Sequence, residues 1–165
     1  MTTPTEQPAV AQYLTFTLDQ DHYAIDIARV KEVLELTSLT RVPRTPEFVR
    51  GMINLRGAIV PVIDLRLKLG LSRTEKTLDT SIVITEIPVE GQLTVLGALA
   101  DSVQEVIEIE TKAIAPPPKM GTRVAVDFMR GVTRRDDQLL VLLDIDRVLT
   151  EEELCAAADV DAAAA

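Results

Sequence analysis

The chain has 165 residues, 47% of them apolar and 3% aromatic with no Trp, and a formal net charge of −9. That length fits one ordinary domain or two small barrels sharing a core, and the apolar content excludes a disordered chain. The acidic balance argues against nucleic acid or an anionic membrane as direct partners, because both select basic surfaces.

Residues 1–11 are polar and Pro-containing, and read as a disordered start. Tyr13–Leu18 alternates, with Leu14, Phe16 and Leu18 on one face, which predicts a half-buried strand. After the turn Asp19–Asp21, Tyr23–Ile25 returns as a second strand, and Asp26 caps one helical turn. Val30–Leu36 is a third strand with no cleanly apolar face, so Val33 is a candidate for exposure. Thr45, Pro46 and Gly51 predict a short helix that starts at the proline and stops at the glycine.

Two apolar runs, Met52–Leu55 and Ala58–Ile63, flank Arg56-Gly57 and predict a β-hairpin with Arg56 at its tip. Gly57 alone is expected to take a positive φ, in a type II or bulged turn. Pro61 lacks a donor N–H, which predicts an edge position or a bulge. Asp64 caps a short helix that Gly70 stops. The charged stretch Leu71–Asp79 reads as a boundary between halves. Thr80–Ile87 and Leu93–Leu99 are the next pair of strands, and Gly97 marks a close approach. Val103–Ile109 follows, then the stiff Pro116–Pro118 segment. Val126–Thr133 and Leu139–Leu143 are the last strands. Asp144 caps Ile145–Leu149, and residues 151–165 read as a short helix with a frayed Ala-rich tail.

Two motifs recur in the same order. Val30-Lys31-Glu32-Val33-Leu34-Glu35-Leu36 matches Val103-Gln104-Glu105-Val106-Ile107-Glu108-Ile109, and Phe48-Val49-Arg50-Gly51 matches Phe128-Met129-Arg130-Gly131, with Asp64 and Asp144 at the same offset. These echoes indicate an internal duplication. Many short strands at regular spacing with brief helices predict an all-β barrel architecture, repeated once.

Chemistry finds little to stand on. His22 is the only His and lies in an acidic turn; the single Cys, Cys155, sits in the tail. Neither has the partners that a general base or a nucleophile needs. No metal-ligand spacing and no phosphate-binding loop occurs, so no cofactor is expected. Gly51, Gly57 and Gly131 read as turn glycines, and Asp64 and Asp144 as caps. One Cys allows no disulfide within the chain, and no apolar run is long enough to span a bilayer or resembles a secretory signal. A cytoplasmic protein with no direct membrane insertion is expected. Arg56 reads equally as a solvated turn charge or a partner contact. The pattern alone favours Val30, Val33 and Val103 as core over a groove lining.

The run Ile53–Arg66, INLRGAIVPVIDLR, resembles the CheW family of bacterial chemotaxis coupling proteins. Leu14–Leu18, Tyr23–Val33, Pro46–Gly51, Asp101–Val106 and Leu142–Ile145 extend the resemblance over about Gln12 to Leu149. It implies two intertwined five-stranded SH3-like barrels in a single domain at 12–150, the first at about 12–79 and the second at about 80–150. It implies a non-enzymatic adaptor that binds the cytoplasmic tip of methyl-accepting chemotaxis receptors and the regulatory domain of the histidine kinase CheA. By the same resemblance, Leu14, Ile27, Val30, Val33 and Val103 line a receptor groove, which reverses the core preference for Val30 and Val33. Glu32 and Arg56 then fall where a charge matters for partner binding, and Gly51 and Gly57 at turn positions of the motif. The alternative is an SH3-like scaffold module of a different sensory kinase pathway.

Overall fold

Ten strands are formed by the residues that the computed structural model describes, namely 9–41, 43, 45–89, 91–116, 128–135 and 137–148. In chain order they are β1 (Val10–Leu18), β2 (Asp21–Asp26), β3 (Val30–Glu35), β4 (Val49–Leu55), β5 (Ala58–Asp64), β6 (Ser81–Val89), β7 (Gln92–Ala100), β8 (Ser102–Glu110), β9 (Met129–Arg135) and β10 (Gln138–Leu143). One-turn helices follow β5 and β10: α1 (Leu65–Lys68) and α2 (Ile145–Val148).

The strands form two five-stranded sheets, ordered β8-β1-β2-β10-β9 and β3-β6-β7-β5-β4. The orders correspond strand for strand if β1–β5 is one repeat and β6–β10 the other. The parallel pairing of β10 with β2 matches that of β5 with β7. Each sheet therefore takes its first hairpin from one repeat and its other three strands from the other, so the repeats have exchanged hairpins. The expected partition into a first barrel ending near residue 79 and a second beginning near 80 does not describe the sheets. Residues 10–26 join 102–143, and 30–64 join 81–100.

Each sheet curls until the segment after one edge strand meets the other edge. Thr40 exchanges backbone hydrogen bonds with Met52 on β4 (3.0 and 2.9 Å), and Ala115 does the same with Val132 on β9 (2.8 and 2.9 Å). Glycine makes both closures possible. A Cβ at Gly51 would lie 2.7 Å from the Thr40 carbonyl oxygen, and one at Gly131 2.6 Å from that of Ala115. Gly51 and Gly131 are thus close-approach residues inside β4 and β9, and not turn glycines. The expected helix from Pro46 to Gly51 is also absent. The Val49 N–H closes one turn on the Pro46 carbonyl (2.9 Å) and the chain enters β4 at once.

Burial follows the pleat. On β10, Leu140 and Leu142 face an apolar cluster belonging to their own sheet, with Tyr13, Ile107 and Ile109. Val141 and Leu143 join a second cluster shared with the other sheet, which also holds Leu14, Phe16, Ile63 and Val83. Val60 and Val62 on β5 face the interior of their own sheet, and Ile63 faces the shared cluster. Strands buried on both faces carry continuous apolar runs. This corrects the half-buried reading of β1. Tyr13 and Thr15 are as buried as Leu14, and Thr15 Oγ1 is satisfied by the Glu105 backbone, donating to its carbonyl (2.8 Å) and accepting from its N–H (3.1 Å).

Several boundaries shift for physical reasons. Val10 and Ala11 pair with Glu110 and Ile109 on β8, so strand replaces the end of the expected disordered segment. His22 lies within β2, opposite Thr17, and not in a turn. Pro61 sits in an interior strand, but pairing of β5 with β7 begins only at Val62, so its missing N–H costs no ladder bond there. The Pro117-Pro118 part of the proline run, the helix expected at 151–158, Cys155 and the Ala-rich tail lie outside the described residues.

Candidate interaction surface

The β4–β5 hairpin turns through Arg56 and Gly57, with φ of +51° and +90°. Positive φ at both central residues is the type I′ pattern, which matches the twist of a two-residue hairpin. The expectation that Gly57 alone would take positive φ is therefore corrected. The turn is locked from below, since Asn54 Oδ1 accepts the Gly57 N–H at 2.8 Å. A non-glycine residue in this left-handed region costs about 1–2 kcal/mol.

The Arg56 guanidinium forks onto the Glu32 carboxylate of β3, its Nη2 on Oε2 and its Nη1 on Oε1. The Arg56 side chain is 70% exposed, and an ion pair that open to water offsets little of the turn's strain. Folding alone does not account for an arginine at this tip. Beside it lies a cleft of about 540 Å³ lined by Lys31, Leu55, Arg56, Ile59, Leu93 and Val95, and Leu93 is 64% exposed.

Other residues singled out by sequence occupy graded depths. Leu14 is buried in the shared cluster, and Ile27, Val30 and Val103 pack half-buried against that same cluster. Val33 is 40% exposed. Glu32 and Arg56 are brought into contact, whereas Leu14 is withdrawn from solvent.

The second repeat carries a counterpart that sequence reasoning passed over. Val106 takes the place of Val33 and is 47% exposed. Glu105 takes the place of Glu32 and pairs with Arg135 beside the β9–β10 hairpin tip, at 3.1 Å. A smaller cleft of about 250 Å³ lies there, lined by Thr15, His22, Gln104, Glu105, Arg135 and Leu140. The signal was present in the echoed heptads, where Val-Lys-Glu-Val is matched by Val-Gln-Glu-Val.

Asp64 and Asp144 both cap helices, but Asp64 does more. Its side chain is fully buried and accepts from Arg50 Nη1 (2.7 Å), Thr74 Oγ1 (2.7 Å), the Thr74 N–H (3.0 Å) and the Arg66 N–H (3.1 Å). A buried carboxylate is tolerated when it is paired and hydrogen-bonded in this way. Asp144 is half-buried and accepts the Asp146 N–H at 3.2 Å. Arg130, the echo of Arg50, turns instead to Asp26 (3.2 Å).

Two arginines brace the places where the chain passes between sheets. Arg66 on α1 reaches Asp101, between β7 and β8, at 3.0 Å, and Asp19 in the β1–β2 turn at 3.5 Å. Arg29, between β2 and β3, binds Asp146 on α2 in a two-point contact at 2.8 and 2.7 Å. The hydrogen bond to Asp146 holds the Arg29 pKa above its ordinary value. Among the described residues, no cluster of His, Cys, Asp and Glu could hold a metal ion, and no helix is long and apolar enough to cross a membrane.

A family model described as a CheW-like domain matches residues 12–153. The chain is 34% identical to the chemotaxis protein CheW of Klebsiella aerogenes, covering 87% of this chain and 84% of that one. It is 33% identical to the chemotaxis protein CheW of Thermotoga maritima, covering 85% and 88%. The crystal structure of the scaffolding protein TtCheW from Thermoanaerobacter tengcongensis superposes with a TM-score of 0.77 at 35% identity, covering 91% of this chain and 94% of that one.

Proposed function

This chain belongs to the CheW-like family, and we propose that it is a cytoplasmic chemotaxis adaptor coupling methyl-accepting chemotaxis receptors to the histidine kinase CheA. The observation that carries the reading is the hairpin tip. Arg56 is held in a strained left-handed turn, paired to Glu32 and left open to solvent beside an apolar cleft. Strain kept at an exposed charged residue, with little stability gained in return, points to a contact made with another molecule.

An adaptor performs no chemistry, so it can pass a signal only by binding one state of a partner more tightly than another. Half-buried Ile27, Val30 and Val103, seated on the cluster that holds Leu14, supply a firm apolar border for a receptor contact, and Val33 an exposed one. The pairs at Glu32–Arg56 and Glu105–Arg135 lie on different sheets, which gives the molecule two separate ends for partners. Holding several partners on one rigid body raises their effective concentration and makes weak contacts cooperative.

Reconstitution tests the proposal. The chain is mixed with a cytoplasmic receptor fragment and CheA, and kinase autophosphorylation is followed. Activity should rise only when all three are present, and Arg56→Ala should weaken the response at limiting adaptor while leaving the fold intact. No rise with the unaltered chain would overturn the coupling role; an undiminished response with Arg56→Ala would remove the hairpin tip from it.

A further inference from the structure

We propose that the cleft at the start of β4 is a second protein-docking site, one that takes an acidic peptide segment. The cleft has a volume of about 500 Å³ and is bordered by Arg41, Arg50, Arg73, Thr45 and Glu47. β4 spans seven residues, roughly 20 Å. Its two ends hold different features, Arg50 at the start and the Arg56 tip at the finish, so the cleft is separate from the surface described above.

The charge balance here runs against that of the chain. Overall the formal charge is −9. In the cleft, Arg41, Arg50 and Arg73 outnumber Glu47 and the buried Asp64 beneath, leaving a net positive site. Arg41 and Arg73 are exposed and have no ion-pair partner among the described residues. Acidic groups elsewhere on the surface are screened beyond about 8 Å at physiological salt, so a local basic cleft keeps its own sign.

Arg50 is a prepared binding group. Its Nη1 donates to Asp64 Oδ2 at 2.7 Å and to the Thr74 carbonyl at 3.0 Å, which fixes the guanidinium in the wall of the cleft. Its Nε and Nη2 have no partner among the described residues. A guanidinium held in place presents its free fork to a carboxylate with little rotamer entropy left to lose. Pro43 and Pro46 fix two φ angles in the facing loop, which further limits the cost of ordering it.

Size and chemistry narrow the ligand. A volume near 500 Å³ far exceeds a lone phosphate and lies in the range of sites that enclose a segment of chain or a ligand of similar bulk. Arginines drawn from the loop before β4, from β4 itself and from the loop after α1 can meet successive carboxylates of one extended chain. The net charge of −9 disfavours a long polyanion such as a nucleic acid, which extends past the cleft onto acidic surface. A short acidic protein segment satisfies all three features.

The test needs neither receptor nor kinase, so its outcome is independent of the coupling role. Amide resonances of the full chain are followed by NMR during titration with hexaglutamate, with hexalysine, and with inorganic phosphate. Hexaglutamate should give saturable shifts at residues 45–50 and 73 that weaken with salt, and hexalysine none. The R41A/R73A double variant should bind hexaglutamate at least tenfold more weakly with an unchanged thermal midpoint; both side chains are exposed, so folding is not at risk. Arg50 is left in place because its loss would strand the buried Asp64. Absence of saturable shifts, equal affinity in the double variant, or shifts centred on Arg56 would overturn the proposal. So would phosphate occupying the cleft while hexaglutamate fails to displace it, which would make it a single-anion site.

Discussion

Arg66 and Asp101 lie 3.0 Å apart and tie α1 to the passage from β7 to β8. In the other repeat, Asp146 on α2 binds Arg29 in the passage from β2 to β3, with the charges exchanged. The same structural need, fixing a helix to the crossing between sheets, is met with opposite polarity in the two halves.

The two braces should not be equally important. Arg66 is 12% exposed and also hydrogen-bonds the Ser72 carbonyl at 2.9 Å, whereas Arg29 and Asp146 are each about one-third exposed. Asp101 Oδ1 is buried and has no partner among the described residues, so removing Arg66 also leaves this carboxylate without its cation. Arg66→Ala should therefore destabilise the fold by about 1–3 kcal/mol, and Arg29→Ala by roughly 0–1 kcal/mol. Equilibrium unfolding in urea measures both, and equal losses would refute the ranking.

The barrel closures make Gly51 more sensitive than Gly57. Alanine at Gly51 meets the Thr40 carbonyl oxygen at 2.7 Å and Leu39 Cβ at 3.0 Å, at a φ of +150°. Gly57 has φ +90° but open space around it. Gly51→Ala should cost upwards of about 2 kcal/mol, and Gly57→Ala about 1 kcal/mol. Gly131→Ala should behave like Gly51→Ala, because its Cβ would lie 2.5 Å from Ile114 Cγ2. Thermal melts of the three variants give the order.

At the hairpin tip, stability and assembly should part company. Arg56→Gly relieves the left-handed strain at some entropic cost in the unfolded chain, so stability should stay level or rise by up to about 1 kcal/mol. Arg56→Val places a β-branched side chain at φ +51° and should lose more than about 1 kcal/mol. Both should weaken adaptor activity. A glycine variant that is markedly less stable than the parent would show that the ion pair with Glu32 outweighs the turn.

The two capping aspartates should also separate. Asp64→Ala leaves Arg50 and Thr74 without their buried acceptor and should cost about 3–5 kcal/mol. Asp144→Ala removes an ordinary cap and should cost about 1 kcal/mol. A denaturant series on both variants decides it, since similar losses would mean that burial of Asp64 adds nothing.

Much of the local structure was legible because it is written locally. The β4–β5 hairpin, both caps and the paired heptad strands follow from apolar runs and short-range turn chemistry, and the duplication from two echoes in order. Hairpin exchange was not legible. Pairing of Tyr13 with Ile107, or of His22 with Leu140, joins residues about a hundred positions apart, and nothing within either strand names its partner. Gly51 was misread because a helix stop and a close approach place the same residue at the same spot in a sequence. The sign of φ at Arg56 was missed because the Asn54 bond that locks the turn is a three-dimensional fact. The surface at Glu105 and Val106 is not legible in the second heptad alone, because a repeated pattern shows kinship between strands and not which of their faces meets solvent.

Exchange of hairpins sets the order in which the molecule can be made. As the chain leaves the ribosome, β1 and β2 emerge first, yet their sheet waits for β8, β9 and β10 and closes only once Leu143 has appeared. The sheet begun by β3 waits for β6 and β7 but is finished by Ala100. Of the two barrels, the one begun second is completed first, and the β1–β2 hairpin keeps unpaired edges until β8 and β10 are made, where contacts so distant in sequence form slowly and stray pairing is easiest.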